Sequence, residues 1–296
     1  MSCILVAIAN PERLPLEAGL IAELGARFDA MPRWLAEGEA ADMAISGHDP
    51  ADVKTIASYV VGARGRPLDL AVLPAGCRRK RLLISDMDST MITVECIDEL
   101  ADFAGVNSDV AAITRRAMNG ELDFAGALRE RVALLAGLPI GVIDEVYAER
   151  VRPMPGARIL VQTMRRFGAV TALVSGGFVP FVERVADALG FETRVANRLE
   201  IADGRLTGRV LPPITGADTK LSTLRQLLCS HDLRPDEALA VGDGANDLPM
   251  ITAAGLGVAF RPHAALAAAS DVVIRTGDLT ALLYLQGVPK DEFFVK

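Results

Sequence analysis

From residue 81 onward the sequence repeats one arrangement: a short, continuously apolar run, a polar turn, then a stretch of helical periodicity. The runs RLLISD (81–86), AVTALV (169–174), EALAVG (237–242), LGVAF (256–260) and DVVI (271–274) show little alternation of polar with apolar residues. Strands of that kind are buried on both faces, as in a parallel sheet covered by helices on either side. Apolar periodicity over 157–167, 178–189, 218–230 and 247–254, with a shorter helix before 271, supplies the covering layers. Residues 193–211 read as a hairpin turning at Asp203-Gly204. The pattern predicts an α/β fold built on a doubly wound parallel sheet. A block from about 91 to 153, helical in pattern from about 95 to 150, interrupts the sheet after its first strand.

Residues 1–76 follow a different rhythm. An apolar strand at 3–9, helical periodicity at about 14–26, strand-like runs at 31–35 and 43–45, a helix near 50–62 and a strand at 68–73 give the order βαββαβ. That order is a ferredoxin-like split unit. Asp49-Pro50 marks the second helix start, since Asp caps the free amide donors and Pro suits the first turn. Pro74-Ala75-Gly76 and the basic cluster Arg78, Arg79, Lys80, Arg81 read as a linker with a solvated charge run.

In an open parallel sheet, ligands bind at the carboxyl ends of the strands. Three strands here end in polar chemistry: Asp86-Met87-Asp88-Ser89-Thr90, Ser175-Gly176-Gly177, and the GDGAND stretch from Gly242 to Asp247. Two carboxylates two residues apart, Asp86 and Asp88, cannot both ionise cheaply if held close. That division suits an ionised Asp86 attacking phosphorus while a protonated Asp88 serves the leaving group. Ser175 with two glycines offers a hydroxyl and closely approaching N–H groups to a phosphate. Asp243 and Asp247 around Asn246, without histidine or cysteine, form a hard-oxygen site that points to Mg2+. A nucleotide-binding glycine loop is disfavoured because Asp247 would repel a pyrophosphate, and an EF-hand because its acidic spacing is missing. A serine-nucleophile triad is disfavoured too. GxSxG is absent, and His48, His231 and His263 read as structural or exposed.

The order DMDST, SGG, a lysine at Lys220, then GDGAND resembles the haloacid dehalogenase superfamily of phosphotransferases. That resemblance implies a Rossmann-like core at 77–90 and 154–296 and a helical cap at about 91–153. It also implies a nucleophile at Asp86 and an acid/base at Asp88, with Ser175 and Lys220 on the phosphoryl group. The metal would be held by Asp86, the backbone carbonyl of Asp88, and Asp243, with Asn246 and Asp247 in support. DMDSTMITVECIDELA, DFAGALRERVALLAGLP and VGDGANDLPMI are similar to the phosphoserine phosphatases within that superfamily. This closer resemblance implies that Glu95 reads the substrate ammonium and Arg131 its carboxylate. It implies further that Met118 and Phe124 line the cap and that the Gly176 amide contacts phosphate. The implied reaction is Mg2+-dependent hydrolysis of O-phosphoserine through an aspartyl phosphate, the last step of serine biosynthesis. Transfer to an alcohol such as homoserine, or action on another small phosphate, is the alternative. Residues 1–76 resemble an ACT-type module, although NPERLP replaces the glycine-bearing loop of liganded examples. Dimerisation and scaffolding are then equal readings of its role, and a homodimer is expected.

Composition narrows the partners. With 31 Lys and Arg against 38 Asp and Glu, a formal charge of −7 and only 5% aromatic residues, the chain is poorly suited to nucleic acid. No stretch approaches 18 apolar residues, so a membrane partner and a P-type pump are not expected. Four scattered cysteines without a CxxC pair fit neither a zinc site nor a disulfide framework, and the expected location is the cytoplasm.

Overall fold

The computed structural model describes residues 2–10, 12–65, 67–118, 121–270 and 272–295. Its first unit comprises β1 (Ser2–Ile8), α1 (Ala18–Arg27), β2 (Arg33–Ala36), β3 (Ala40–Ser46), α2 (Pro50–Ala63) and β4 (Asp69–Pro74). The four strands form an antiparallel sheet in the order β2-β3-β1-β4, the split arrangement the sequence implies. Alternate residues Cys3, Leu5 and Ala7 of β1 pack with Leu20, Leu24, Val53 and Ala57 of the two helices. Asp49 accepts the Ala51 amide at 2.8 Å and Pro50 opens α2, as the sequence pattern requires. The first helix starts later than its periodicity predicts. Leu16 commits its amide to Gly38 at 2.7 Å, so the segment before Ala18 stays extended.

The second unit continues with β5 (Leu82–Ser85), then α3 (Cys96–Ala104), α4 (Asn107–Met118), α5 (Phe124–Ala133) and α6 (Gly141–Glu149), which make up the interposed helical block. There follow α7 (Ala157–Arg166), β6 (Val170–Phe178), α8 (Val179–Leu189), β7 (Thr193–Ala202), β8 (Arg205–Leu211), α9 (Ala217–Ser230) and β9 (Ala238–Gly242). The chain closes with α10 (Leu248–Ala253), β10 (Leu256–Phe260), α11 (Ala264–Ala269), β11 (Val272–Ile274) and α12 (Ala281–Leu285). The sheet order is β11-β10-β9-β5-β6-β7-β8, parallel except for β8. β5 lies between β9 and β6, so the three polar strand ends are neighbours. The strands are buried on both faces, by α7 and α8 on one side and α9 and α10 on the other.

The two units share an interface. The sheet face opposite α1 and α2, with Val6, Ile8, Leu35, Ala71 and Leu73, joins one apolar cluster with Leu282, Tyr284, Leu285 and Val288. Buried Asp69 accepts the backbone amides of Arg275, Thr276 and Gly277 at 2.8–2.9 Å. Arg78 departs from the solvated charge run expected of it. Its side chain is only 16% exposed, meets the Asp42 carboxylate, and donates to the Leu285 and Tyr284 carbonyls at 2.9 and 3.2 Å. Arg79 and Arg81 remain largely solvated. All four cysteines are unpaired, and among the described residues no helix is long and apolar enough to cross a membrane.

Candidate active site

At the end of β5 the Asp86 amide still bonds across to Val241 of β9, at 3.0 Å. The chain then turns sharply: Thr90, Met91 and Ile92 all direct their amides to the Met87 carbonyl, and Ser89 adopts φ 54°. This turn brings both aspartates to one side. Asp86 Oδ1 accepts the Met87 amide at 2.7 Å, and Oδ2 lies 2.7 Å from Lys220 Nζ. Lys220, in the first turn of α9, is fully buried and reaches Asp247 Oδ1 at 2.6 Å. Burial alone would discharge this lysine, but Asp86 and Asp247 outweigh it and hold the ammonium charged above its usual range. Lys220 is thus a buried bridge between two sheet ends.

Carboxylate oxygens of Asp86, Asp243 and Asp247 lie within 4.8 Å of one another. Thr90 Oγ1 donates to Asp243 Oδ1 at 2.9 Å. Burial, reinforced by the charges of Asp86 and Asp247, pushes the Asp243 carboxyl up to about 8. Three buried carboxylates against one ammonium are short of positive charge, and the donor set is oxygen alone, so the group fits a hard divalent cation. Asp247, expected only in support, contributes a carboxylate to this cluster, whereas the Asp88 carboxylate stands outside it.

Asp88 is buried, and that burial, with Glu95 and Asp86 adding, pushes its carboxyl well above the ordinary aspartate range. One oxygen receives the Cys96 amide at 3.4 Å. The other abuts Gly177, where a Cβ would come within 2.8 Å of it, which accounts for the second glycine of the SGG turn. Burial and the neighbouring carboxylates thus favour the protonated form of Asp88, beside an aspartate paired with lysine.

Opposite these groups stands the helical block. Glu95 precedes α3 and accepts the Ser89 hydroxyl at 2.6 Å; burial raises its carboxyl despite that bond. Arg131, near the end of α5, donates to the Ala127 carbonyl at 3.3 Å. Glu121 and Glu130, near Arg131 in sequence, flank Arg116 at 3.7 and 2.7 Å. Arg131 faces a cleft of about 800 Å³ whose walls include Asp86, Asp88, Glu95, Phe124, Ser175, Gly176, Asp243 and Asn246. Met118 ends α4, and its side chain lies outside what the structure describes. Ser89, Asp98 and His263 also line the cleft and were not legible as site residues. His263 was the most accessible of these from sequence: it follows a fourth strand end, that of β10, and its amide bonds the Asp243 carbonyl at 3.1 Å.

A parallel sheet carrying a lysine-paired aspartate, a buried second carboxyl and an oxygen-only cluster at its carboxyl edge has the chemistry of a phosphoryl-transfer hydrolase. The chain belongs to the haloacid dehalogenase-like hydrolase family, whose model matches residues 83–252. It is 41% identical over 279 residues to a phosphoserine phosphatase of Streptomyces coelicolor, covering 93% of this chain and 67% of that one. Among solved structures, a HAD family hydrolase of Salmonella enterica superposes with a TM-score of 0.84 at 27% identity, covering 98% of this chain and 99% of that one. A phospho-aspartyl intermediate analogue of phosphoserine phosphatase superposes with a TM-score of 0.65 at 38% identity, over 70% of this chain and 98% of that one. The chain spans 55–67% of the length of several curated relatives it matches.

Proposed function

We propose that the chain hydrolyses O-phosphoserine to serine and phosphate, the closing step of serine biosynthesis, with Asp86 as nucleophile. The observation that carries this reading is the pairing within one cleft of a phosphoryl pole (Asp86 and Asp88, with Lys220 buried behind Asp86) and an amino-acid pole (Glu95, Arg131). Phosphoserine presents an ammonium, a carboxylate and a phosphate, and each finds an opposite charge there.

An Asp86 oxygen attacks phosphorus, the bond from phosphorus to the seryl oxygen breaks, and Asp88 gives its proton to the departing alkoxide. Asp88, now ionised, takes a proton from water, whose oxygen attacks phosphorus and frees the Asp86 carboxylate with release of phosphate. Lys220 holds Asp86 in line, while the Ser175 hydroxyl, the Gly176 amide and the Asn246 side chain receive the phosphoryl oxygens. Mg2+ held by the Asp86 and Asp243 carboxylates and the Asp88 carbonyl, with Asp247 beside them, would neutralise charge building on the phosphoryl group. Phe124 lines the cleft beside Glu95 and Arg131, which would grip the amino-acid end, and the resemblance assigns Met118 to the same lining. The domains in this reading are an ACT-like unit at 1–76 and the catalytic unit at 77–296. Burial of the first unit's open sheet face supports a scaffolding role for it.

Asp86→Asn tests the nucleophile. Phosphate release from phosphoserine with Mg2+ present should fall by about 10³-fold or more. Retention of a tenth of wild-type turnover would remove Asp86 from that role.

A further inference from the structure

Phe124 opens α5, where Asp123 caps the helix by accepting the Gly126 amide at 2.6 Å. Its ring reaches across the cleft and lies on two glycines of the catalytic core. A Cβ on Gly176 would come within 2.9 Å of Phe124 Cζ, and one on Gly216 within 3.1 and 3.3 Å of Cδ1 and Cε1. Neither glycine has a left-handed φ; Gly216, just before α9, sits at φ −143° and ψ −156°, which an alanine can adopt. The backbone therefore does not call for glycine at 216, whereas the space under the ring does.

Gly176 lies near the end of β6 and Gly216 just before α9, and one buried side chain ties the two segments together. Asn197 of β7, with no exposed surface, donates through Nδ2 to the Gly176 carbonyl at 2.8 Å and the Thr215 carbonyl at 3.2 Å. Its Oδ1 accepts the Thr215 amide at 2.7 Å. The strand that carries Asn197 continues into the β7–β8 hairpin, whose tip is itself bonded to the cap. There the Gly137 amide donates to Leu206 at 2.8 Å, Leu206 to Leu138 at 2.9 Å, and Ile140 to Gly204 at 2.9 Å. Cap and core thus meet at the Phe124 contact and at this hairpin, besides the Asp144–Arg184 ion pair, and Asn197 lies on the strand that serves the first two.

We infer that Gly216 and Asn197 are positioning residues: together with Gly176 they make a seat for Phe124 that sets how far, and in what register, the cap closes. The inference rests on the phosphoserine reading for its kinetic consequence but not for the contact itself. The seat fixes the distance between the amino-acid pole on the cap and the phosphoryl pole on the core, and misplacement by a fraction of an ångström weakens in-line attack. The Phe124 ring is still 37% exposed, as expected of a contact that must open to admit substrate.

A double-mutant cycle on the full chain decides the matter. Gly216→Ala should lower kcat/KM for phosphoserine by about 5- to 50-fold. It should leave hydrolysis of p-nitrophenyl phosphate, which lacks both groups read by the cap, within about twofold of wild type. In a Phe124→Ala background the same glycine substitution should cost no more than about twofold. Equal losses in the two backgrounds would overturn the seat. Urea unfolding of the same four proteins gives a second cycle that needs no turnover. The midpoint shift from Gly216→Ala should be present with Phe124 and absent without it, and additivity would again overturn the inference. A wild type inactive on phosphoserine would sink the assigned reaction while leaving this second cycle to judge the seat. For Asn197, Asn197→Asp keeps the acceptor for Thr215 and loses both donated bonds. It should depress phosphoserine turnover more than p-nitrophenyl phosphate turnover, and equal depression would mark Asn197 as structural only.

Discussion

At the scale of single residues, the site is an arrangement of charges that only burial makes useful. Asp86 and Asp88 were readable from their spacing at a strand end, and Asp243 with Asp247 as an oxygen-only cluster, whereas Lys220 was legible only through the resemblance. His263 at the cleft wall was not, because its place depends on which strand ends become neighbours. Arg131 was legible only by resemblance; what the structure adds is that it faces the cleft with Asp98 and Glu95 as its nearest charge partners. Arg131→Ala should therefore lower kcat/KM for phosphoserine by about 10²-fold and for phosphoethanolamine, which has no carboxylate, by far less. Parallel phosphate-release assays on the two esters check this, and equal losses would refute the role.

A second residue-scale consequence concerns protons. With Asp243 pushed up to about 8, it is mostly protonated at neutral pH when no cation is bound. Metal must displace that proton, so affinity should climb as pH rises toward about 8 and level off above it. Calorimetric titration with Mg2+ in two buffers of different ionisation enthalpy, at about pH 6.5 and about pH 8.5, should show clearly more proton release at the lower pH. Affinity that is flat across this range would contradict the shift and its cause.

At the scale of elements, the strands were the most legible part because both of their faces are buried and no alternation can confuse the reading. Helix ends were legible where a cap was written out, as at Asp49-Pro50, and illegible where a distant backbone partner intervened, as before α1. Asp49→Ala should cost about 1 kcal/mol of stability by orphaning the Ala51 amide. Urea unfolding would show it as a lower midpoint with unchanged slope, and no shift would mean that water replaces the cap.

At the scale of the whole molecule, the order of elements gave both units but not their contact. A basic run beside Pro74-Ala75-Gly76 reads as a solvated linker, and nothing in its composition separates Arg78 from Arg79 or Arg81. Asp42 and the carbonyls of Tyr284 and Leu285 make the difference, and they are far away in sequence. Burial tends to raise the Asp42 carboxyl, but hydrogen bonds and charge from Arg33 and Arg78 bring it below the usual aspartate range. A lowered folded-state value means stability that is complete above about pH 4 and lost as pH falls below it. Asp42→Asn should accordingly be less stable than wild type near neutrality, with the gap closing below about pH 4. Arg78→Ala should cost about 1–3 kcal/mol, because Asp42 stays buried with only Arg33 beside it. A gap independent of pH would assign the loss to packing instead.

The shared apolar cluster between the four-stranded sheet and α12 bears on descent. A module that hides its open sheet face inside its neighbour cannot be gained or lost without change on the neighbour's covered face. Duplicating it, deleting it or grafting another in its place would strip Val6, Ile8 and Leu73 of cover on one side and Leu282 and Leu285 on the other. Substitutions on the two sides are thus bound to drift together, and lineages carrying this pair of units should show paired changes across that seam.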